Sequence, residues 1–354
     1  AALYMYYNNG TEPADLAATA RHLADQRCHG MNLATLRLPI TSDGEMTREA
    51  VAPWLDVYAR AGLARREVRV GLWNRITSEW LNQPDKSIGM WGAWFRYYPF
   101  SERLDRRYVE TVRMVRDEAK RRGLELVLGV ADEAGSHAWT TEATQHYAAL
   151  VRREAPDVRC ELSVGGGWAM GRAEHDLWKG LFHIWTTNRW LADKLALVRQ
   201  GGPKVLIGIY NMGGDGSSPG GAVSVRALYG VFAWKVKAAG VSQWTYYHSG
   251  TPECNYTWPA ADPSQGHVPT VRWEMVREGA KDRRYLETLE RRLAGKTGPA
   301  ADEARAFLGE VAAAVDLRTD AYDPIGGGRV RVGPPATYDA WRDRLAALIG
   351  RLTP

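Results

Sequence analysis

Cysteine is scarce in this sequence, and histidine is dispersed. The 354 residues include three cysteines, Cys28, Cys160 and Cys254, with no CxxC pair and no zinc-type spacing. An odd number of widely spaced cysteines argues against a disulfide framework. The eight histidines form no cluster that would favour a histidine-bound zinc site. Cys160 stands in a strand-like run, so we expect its thiol to be buried and inert.

The sequence also lacks a long apolar run and an excess of charge of one sign. No stretch approaches the roughly 20 apolar residues of a membrane-spanning helix. The net charge is only +5, and acids such as Asp282 and Glu287 stand among the basic residues around Arg283. We therefore expect neither a membrane span nor a nucleic-acid partner. No signal peptide precedes the strand-like Ala2–Tyr7, but a removed export signal leaves no trace, so the compartment stays open, as does the oligomeric state.

Nucleotide-binding turns are missing as well. No strand-like run is followed by GxGxxG or GxxxxGK[ST]. Gly213–Gly216 resembles a phosphate cradle but lacks the lysine and hydroxyl residue that complete one. These absences disfavour a nucleotide-binding open sheet. We interpret Gly213–Gly216 as a loop at the rim of a cleft.

Tryptophan and tyrosine are abundant instead. The sequence has 15 Trp and 16 Tyr against 5 Phe. A hydrophobic core recruits Phe, Leu and Ile, whereas Trp and Tyr combine a flat apolar face with a hydrogen-bonding edge. That combination suits a cleft that binds sugars, whose rings have apolar faces and hydroxyl rims. A Trp-rich core is the plainer alternative.

Strand-like and helix-like segments alternate along the chain. The predicted strands are residues 2–7, 32–38, 67–73, 124–131, 158–164, 182–187, 204–210 and 241–247. The predicted helices are residues 11–27, 48–61, 104–122, 142–153, 190–199, 223–239 and 270–292. Eight strands separated largely by helices predict a (β/α)8 TIM barrel in the α/β class, and a doubly wound open sheet is the alternative.

The end of the sequence follows a different pattern. Helical spacing returns over Asp302–Ala314 and Thr337–Leu352, and we expect the Gly- and Pro-rich segment Asp316–Pro335 between them to be irregular. We therefore divide the chain into a catalytic (β/α)8 barrel, residues 1–295, and a C-terminal helical extension, residues 296–354, packed on the barrel.

Two adjacent acids close the fourth predicted strand. Asp132 and Glu133 follow the nearly all-apolar run Leu124–Ala131, at the end of a strand where barrel enzymes place their chemistry. Two carboxyl groups in one site have pKa values that are pushed apart, so that one donates a proton while the other stays an anion, as glycosidic cleavage requires. Adjacent strand residues point to opposite faces, so the pair converges only if the strand leaves its regular register. The plain alternative is a polar turn.

The other predicted strands bring aromatic, amide and basic side chains to the same end of the barrel. Strand six contributes His183, Trp185 and Asn188 there. The candidate substrate-binding residues are Tyr6, Asn8, Arg37, Trp168, Trp185, Tyr210, Asn211, Trp244, Tyr246 and Tyr247. Stacking platforms and neutral hydrogen-bonding groups are the expected lining of a sugar site. Packing between barrel and helices is the alternative for each aromatic.

Three segments resemble glycoside hydrolase family 123. They are Asp132-Glu133, the run Gly230–Trp234 that leads to Trp244–Tyr247, and above all Val268–Leu286, with its pattern PxxRWExxREGxxDxxYL. The likeness extends from the first strand to about Leu293. Family members are β-N-acetylgalactosaminidases on a (β/α)8 barrel. The resemblance therefore implies an exo-acting hydrolase that removes terminal β-linked N-acetylgalactosamine, a 2-acetamido sugar, from a glycan or glycoconjugate.

The resemblance also implies a substrate-assisted, retaining mechanism. Glu133 would protonate the glycosidic oxygen while the substrate's own acetamido oxygen attacks the anomeric carbon. Asp132 would bind the acetamido N–H, and one of Tyr210, Tyr246 and Tyr247 would bind the acetamido oxygen. Because the substrate supplies the nucleophile, no metal or organic cofactor is implied. A β-sandwich domain that often precedes the barrel in this family is missing, so its substrate contacts are absent or the chain is a fragment.

Two other functions remain open. One is a glycosidase for a different sugar, in which Glu133 works with a distant carboxylate; Glu79, Glu161 and Glu253 are the candidates. The other is a non-catalytic carbohydrate-binding barrel, which would keep the aromatic cleft without needing Glu133.

Overall fold

The structure, a computed structural model, describes the chain in parts. The described residues are 2–6, 16–39, 46–71, 102–134, 138–164, 178, 180–187, 206–210, 219–244, 246–247, 255–262, 266–315, 317–323, 327–330 and 334–353. At some of these positions, among them 2–6, 131–134, 210 and 243–244, only the backbone is described. The described ranges include all eight strands of the main sheet.

Eight parallel strands form this sheet, as the sequence predicts. They are β1 (Ala2–Tyr6), β2 (Thr35–Leu36), β3 (Glu67–Gly71), β4 (Glu125–Ala134), β5 (Arg159–Val164), β6 (Ile184–Thr187), β7 (Leu206–Tyr210) and β8 (Gly240–Trp244). Their order is β1-β8-β7-β6-β5-β4-β3-β2. Because the first strand pairs with the last and also contacts β2, the sheet curls round into the predicted (β/α)8 barrel.

Helices surround the barrel and continue beyond it. They are α1 (Leu16–Cys28), α2 (Arg48–Arg60), α3 (Glu102–Arg121), α4 (Ala138–Glu154), α5 (Pro219–Ala227), α6 (Ala233–Lys235), α7 (Val271–Leu293), α8 (Pro299–Ala314) and α9 (Pro335–Leu352). A π-helical turn, Leu228–Phe232, joins α5 to α6. The start of α7 fits its sequence, because the Thr270 side chain accepts a hydrogen bond of 3.3 Å from the Trp273 N–H. The helix predicted over residues 190–199 lies outside the described residues.

Apolar side chains at alternate strand positions fill the layer between sheet and helices. On β4, Leu126, Leu128 and Val130 are at most 4% exposed. On β5, Cys160 and Leu162 are buried in the same alternation, and burial raises the pKa of the Cys160 thiol to about 12. That thiol is therefore protonated and inert, as expected. The residues between these positions face the barrel interior.

Two antiparallel hairpins add to the predicted elements. β9 (Thr257–Pro259) pairs with β10 (His267–Pro269) in the segment between β8 and α7. β11 (Leu317–Asp323) pairs with β12 (Gly327–Val330). The second hairpin lies in the segment predicted to be irregular, and that prediction is wrong. Residues 317–323 read Leu-Arg-Thr-Asp-Ala-Tyr-Asp, which lacks the clean alternation that signals a strand.

The C-terminal helix α9 packs on α7 through a cluster of charges. Arg342 of α9 donates to Glu278 at 2.7 Å and to Asp282 at 2.6 Å, and Arg226 of α5 donates to Asp282 at 2.7 Å. Burial raises the pKa of Glu278, but hydrogen bonds from Lys281 and Arg342 outweigh it and bring the pKa to about 2. The cluster joins α9 to the barrel helices without leaving a buried charge unpaired. The domain boundary at residue 295 stays a prediction.

Two glycines let α7 approach α5 and the π-helical turn that follows it closely. A Cβ on Gly279 of α7 would lie 2.5 Å from the carbonyl oxygen of Arg226 and 2.9 Å from the Cβ of Tyr229. A Cβ on Gly230 would lie 3.1 Å from the carbonyl oxygen of Gly279. Only hydrogen fits at Gly279 without a shift of backbone, so the glycine there sets the distance between the two helices.

Candidate active site at the carboxyl end of β4

All eight strands of the barrel end at the same face, because every neighbouring pair is parallel. Asp132 and Glu133 lie at this face, directly before Ala134, the last residue of β4. The sequence predicts that the strand ends at Ala131; the structure extends it through both acids. The pair therefore occupies the end of a barrel strand at which catalytic residues are found.

β4 leaves its regular register as it reaches these acids. Its residues pair one-to-one with those of β5 as far as Gly129. One extra β4 residue then precedes Ala131, and another lies between Ala131 and Ala134. Irregularities of this kind re-aim side chains and are frequent beside active sites. Asp132 and Glu133 can converge only if β4 leaves its regular register, and the structure shows that it does so at these residues.

Three candidate substrate-binding residues close barrel strands at the same face. Tyr6 ends β1, Tyr210 ends β7 and Trp244 ends β8. The Cα atoms of Tyr6 and Trp244 are paired across the two strands, so these positions are neighbours on the rim. Their side chains, like those of Asp132 and Glu133, lie outside what the structure describes. Their roles stay predictions.

Several other candidates lie wholly outside the described residues. They are the substrate-binding candidates Asn8, Trp168 and Asn211, the strand-six residue Asn188, the rim loop Gly213–Gly216, and the alternative acids Glu79 and Glu253. The roles assigned to them also stay predictions.

Two candidate aromatics belong to the packed layer outside the barrel. Trp185 is 3% exposed, and its ring packs with those of Trp178 and Phe182 at centroid distances of 6.1 and 6.3 Å. Tyr246 is fully buried, and its hydroxyl donates to Asp25 of α1 at 2.8 Å. Packing, the alternative reading, describes both rings, so we leave them out of the proposed substrate site.

The remaining candidates lie at strand ends with partly exposed side chains. Arg37 follows β2 directly and is half-buried. Tyr247 follows β8, is half-buried, and places its ring 5.1 Å from that of His267. Both stay candidates. His183, by contrast, precedes β6, and its backbone N–H donates to the backbone carbonyl oxygen of Cys160 at 2.9 Å. It lies at the amino end of the sheet, away from the acids, so the prediction that strand six brings it to the catalytic end is wrong.

Glu161 on β5 is not a free carboxylate. It is 1% exposed; Arg69 Nε donates to its Oε2, and the Thr186 hydroxyl donates to its Oε1 at 2.8 Å. A general acid or nucleophile has to reach the bond that it cleaves. Both oxygens of Glu161 are held inside the barrel instead, which argues against pairing this residue with Glu133 in catalysis.

The barrel interior holds a group of charged residues, of which sequence reasoning singled out Glu161 alone, as a candidate acid. Besides Arg69 and Glu161, Glu67 accepts hydrogen bonds from Arg65 and Arg159 nearer the amino end. Burial raises the pKa of Glu67, but the hydrogen bonds from the two arginines outweigh it and lower the pKa. A signal was present: β3 begins Glu-Val-Arg-Val and β5 begins Arg-Cys-Glu-Leu. Charges alternate with apolar residues in both, which places opposite charges on one face.

The described ranges contain neither a metal-ligand cluster nor a membrane-spanning helix. No three His, Cys, Asp or Glu side chains among them are grouped as metal ligands. None of the helices described there is both long enough and apolar enough to cross a bilayer.

Comparison with known proteins supports the barrel fold but shows no family for this chain. No protein-family model and no curated protein sequence matches the chain, so the resemblance to glycoside hydrolase family 123 stays a prediction. Among solved structures, the catalytic domain of β-amylase from Paenibacillus polymyxa is similar with a TM-score of 0.53, at 8% identity over 78% of this chain and 97% of that one. The β-galactosidase from the psychrophilic Marinomonas ef1 is similar with a TM-score of 0.50, at 11% identity over 86% of this chain and 61% of that one. At such identities, the likeness shows a shared barrel fold.

Proposed function

We propose that this protein is an exo-acting glycoside hydrolase that removes terminal β-linked N-acetylgalactosamine, with Asp132 and Glu133 as its catalytic pair. The observation that carries the proposal is the position of two adjacent acids at the carboxyl end of a barrel strand that is irregular at that point. The barrel fold supports a carbohydrate substrate, since the solved structures that share it include a β-amylase and a β-galactosidase. The abundance of Trp and Tyr supports it further.

The proposed reaction has two steps. In the first, Glu133 donates its proton to the glycosidic oxygen, the acetamido oxygen of the substrate attacks the anomeric carbon, and the aglycone leaves as an alcohol. Asp132 stays ionised, accepts a hydrogen bond from the acetamido N–H and stabilises the positive charge of the oxazolinium intermediate. In the second, Glu133 takes a proton from water, the water oxygen attacks the anomeric carbon, and the acetamido group is restored.

Adjacency of the two acids suits this mechanism better than a covalent one. In the covalent retaining mechanism, acid and nucleophile stand about 5 Å apart and flank the scissile bond. In the substrate-assisted mechanism, one acid acts on the leaving oxygen and the other on the neighbouring substituent at C2, so a short separation along one strand end is enough. The proposed roles of Asp132 and Glu133 follow from this difference.

The tyrosine that binds the acetamido oxygen is Tyr210 or Tyr247 in this proposal. Tyr246 was the third candidate, but its buried hydroxyl already donates to Asp25. Tyr210 closes β7 at the catalytic face, and Tyr247 follows β8.

A substrate panel tests the proposal. We expect the wild-type protein to hydrolyse p-nitrophenyl β-N-acetylgalactosaminide faster than the β-N-acetylglucosaminide, and to leave the β-galactoside, which has no acetamido group, intact. Asp132→Asn should lower kcat on the preferred substrate by about 10²-fold or more, since the intermediate loses its anionic partner. Rapid cleavage of the β-galactoside, or indifference to Asp132→Asn, would favour a glycosidase of another kind. No turnover of any glycoside would favour the binding barrel.

A further inference from the structure

We infer that Arg69 is a positioning residue for the catalytic pair. Its guanidinium, held by Glu161, occupies the space over Gly129 and fixes the irregular register of β4 that brings Asp132 and Glu133 to the catalytic face. The inference rests on the proposed function for its meaning, but it concerns the geometry of β4 and is testable without activity.

The guanidinium of Arg69 is fixed from both sides of β4. Its Nε donates to Glu161 of β5, and its Nη1 lies 3.4 Å from the hydroxyl of Thr35 on β2. The Arg69 side chain is 6% exposed and that of Glu161 is 1% exposed. On the far side, the Thr186 hydroxyl of β6 holds the second carboxylate oxygen at 2.8 Å. These contacts tie β2, β3, β5 and β6 together around β4, which lies between β3 and β5.

Glycine in β4 makes room for this side chain. A Cβ on Gly129 would lie 2.9 Å from Nη2 of Arg69 and 3.3 Å from its Cζ. Any larger residue would therefore compete with the guanidinium for the same volume. The charged group thus lies directly against the bare backbone of β4.

The register of β4 breaks at this glycine. Gly129 pairs with Glu161, the residue that holds Arg69, and the first extra residue of β4 comes immediately after it. Asp132 is three residues beyond Gly129, about 10 Å along a regular strand. The guanidinium therefore contacts the last regular residue before the irregular end that carries the acids.

Stability alone gives little reason for an ion pair at this place. Barrel interiors are ordinarily filled by branched apolar side chains. Removing two charges from water is costly, and apolar residues of similar volume often replace a buried pair without loss of stability. A pair that fixes the direction of a neighbouring strand end has a use that apolar packing does not supply.

The test compares the Arg69–Glu161 pair with a second arginine–glutamate pair, Arg65–Glu67, nearer the amino end of the sheet. Arg69→Met combined with Glu161→Gln removes both charges at once and leaves neither partner buried alone. We expect it to fold, to lower kcat on p-nitrophenyl β-N-acetylgalactosaminide by about 10- to 100-fold through misplacement of the acids, and to leave KM within about twofold. Arg65→Met, the control, removes a contact to Glu67 nearer the amino end and should keep the wild-type kcat.

Gly129→Ala adds a second, independent readout. We expect it to lower kcat in the wild-type background, because the new Cβ meets the guanidinium, and to have little further effect where Arg69 is already Met. If Arg69 served stability alone, the variants would have a lower melting temperature with an unchanged kcat, or the effects of Gly129→Ala and Arg69→Met on kcat would be additive. Either result overturns the inference.

A crystal structure of the Arg69→Met/Glu161→Gln protein separates this inference from the proposed function. The inference predicts that residues 130–134 shift by more than 1 Å or change their pairing with β5. A wild-type path of β4 overturns it, whether or not the protein hydrolyses glycosides. If the pairing of β4 with β5 changes in the variant and the wild-type protein hydrolyses no glycoside, the proposed function is wrong and the geometric role of Arg69 is confirmed.

Discussion

Gly129 and Gly279 are two positions in the described part of the chain where the absence of a side chain allows a close contact. Gly129 lets the guanidinium of Arg69 lie against β4, and Gly279 lets the backbone of α7 lie against that of Arg226. The two contacts differ in compliance. A Cβ at 129 meets a guanidinium, which shifts only by giving up its contacts with Glu161 and Thr35, whereas a Cβ at 279 meets a backbone carbonyl oxygen of a buried helix, which moves only with the whole helix.

This difference predicts a large stability effect at Gly279. Gly279→Ala should cost about 1–3 kcal/mol of unfolding free energy, because the Cβ would lie 2.5 Å from the Arg226 carbonyl oxygen. The control is Gly309→Ala, in the exposed side of α8, where no atom lies within 4 Å of an added Cβ. That change should stabilise by roughly 0.5–1 kcal/mol, as alanine does in a helix. Urea unfolding measures both, and equal effects of the two variants would contradict the close approach.

Single residues of the candidate site were only partly predictable. Asp132 and Glu133 were found from their position after an apolar run, and the structure extends β4 through them. Trp185 and Tyr246 were chosen by residue type, but whether a strand side chain faces the barrel interior or the helices depends on how the strand pairs, and a shift of one residue in that pairing reverses it. Arg69 was missed, and Glu161 was named only as a candidate acid, because the charged residues of the predicted strands were not considered as partners of one another.

At the scale of whole elements, a histidine joins the first helix to the last helix of the barrel. His29 follows α1 and stacks on Trp273 of α7 at 4.6 Å. Its Nδ1 lies 3.1 Å from an Asp25 carboxylate oxygen and its Nε2 lies 3.3 Å from Glu274. Tyr246 and Trp273 also donate to Asp25, at 2.8 Å each. Two ring nitrogens facing two carboxylates suit a protonated imidazole, in which both are donors.

The pKa shifts of this group give a pH dependence with a definite sign. Burial lowers the pKa of His29, but its hydrogen bonds and attraction to Asp25, with the bond to Glu274, outweigh burial and raise the pKa above 6.5. A raised folded-state pKa stabilises the fold fully below the unfolded value and less as pH rises through the folded one. For Asp25, burial raises the pKa, but bonds from His29, Tyr246 and Trp273 lower it below 3.8, so its contribution fades only in stronger acid.

We therefore expect His29→Gln to be costly in mild acid and nearly neutral in base. The melting temperature of the wild-type protein should exceed that of the variant at about pH 5, and the difference should shrink as the pH rises above about 6.5, the range in which His29 loses its proton first in the unfolded and then in the folded protein. Thermal unfolding followed by circular dichroism across this range measures it. A difference that stays constant with pH would show that His29 acts through packing on Trp273 alone.

Elements with strong periodicity were predicted well, and short or irregular ones were not. The predicted helix at residues 270–292 is observed as Val271–Leu293, since a threonine cap and a long amphipathic pattern define it. The hairpins β9–β10 and β11–β12 were missed, because strands as short as Thr257–Pro259, ending in proline, carry little periodic signal. The sequence analysis predicts that β4 must leave its regular register if Asp132 and Glu133 are to act together. The residue at which it does so depends on the pairing of β4 with β5, which the sequence of β4 alone does not determine.

At the scale of the whole molecule, the curled parallel sheet brings the ends of its eight strands, and with them the proposed catalytic pair on β4, to one face. It places the ends of β1, β7 and β8, with Tyr6, Tyr210 and Trp244, at the same face as the end of β4. Charged interior contacts lie below that face, and the α7–α9 cluster holds the C-terminal helix on the outside. The fold thus collects residues that are far apart in sequence, and the proposed chemistry depends on that collection.

Two glutamates on β4 allow the most direct test of the central claim. Glu133 lies at the carboxyl end of the strand, whereas Glu125 starts it, with a side chain that is 73% exposed. If Glu133 is the acid and base of a glycosidase, Glu133→Gln should lower kcat/KM on p-nitrophenyl β-N-acetylgalactosaminide by about 10²- to 10⁴-fold. Glu125→Gln should match the wild-type protein. Wild-type turnover by Glu133→Gln, or an equal loss in both variants, would contradict an active site at the carboxyl end of β4.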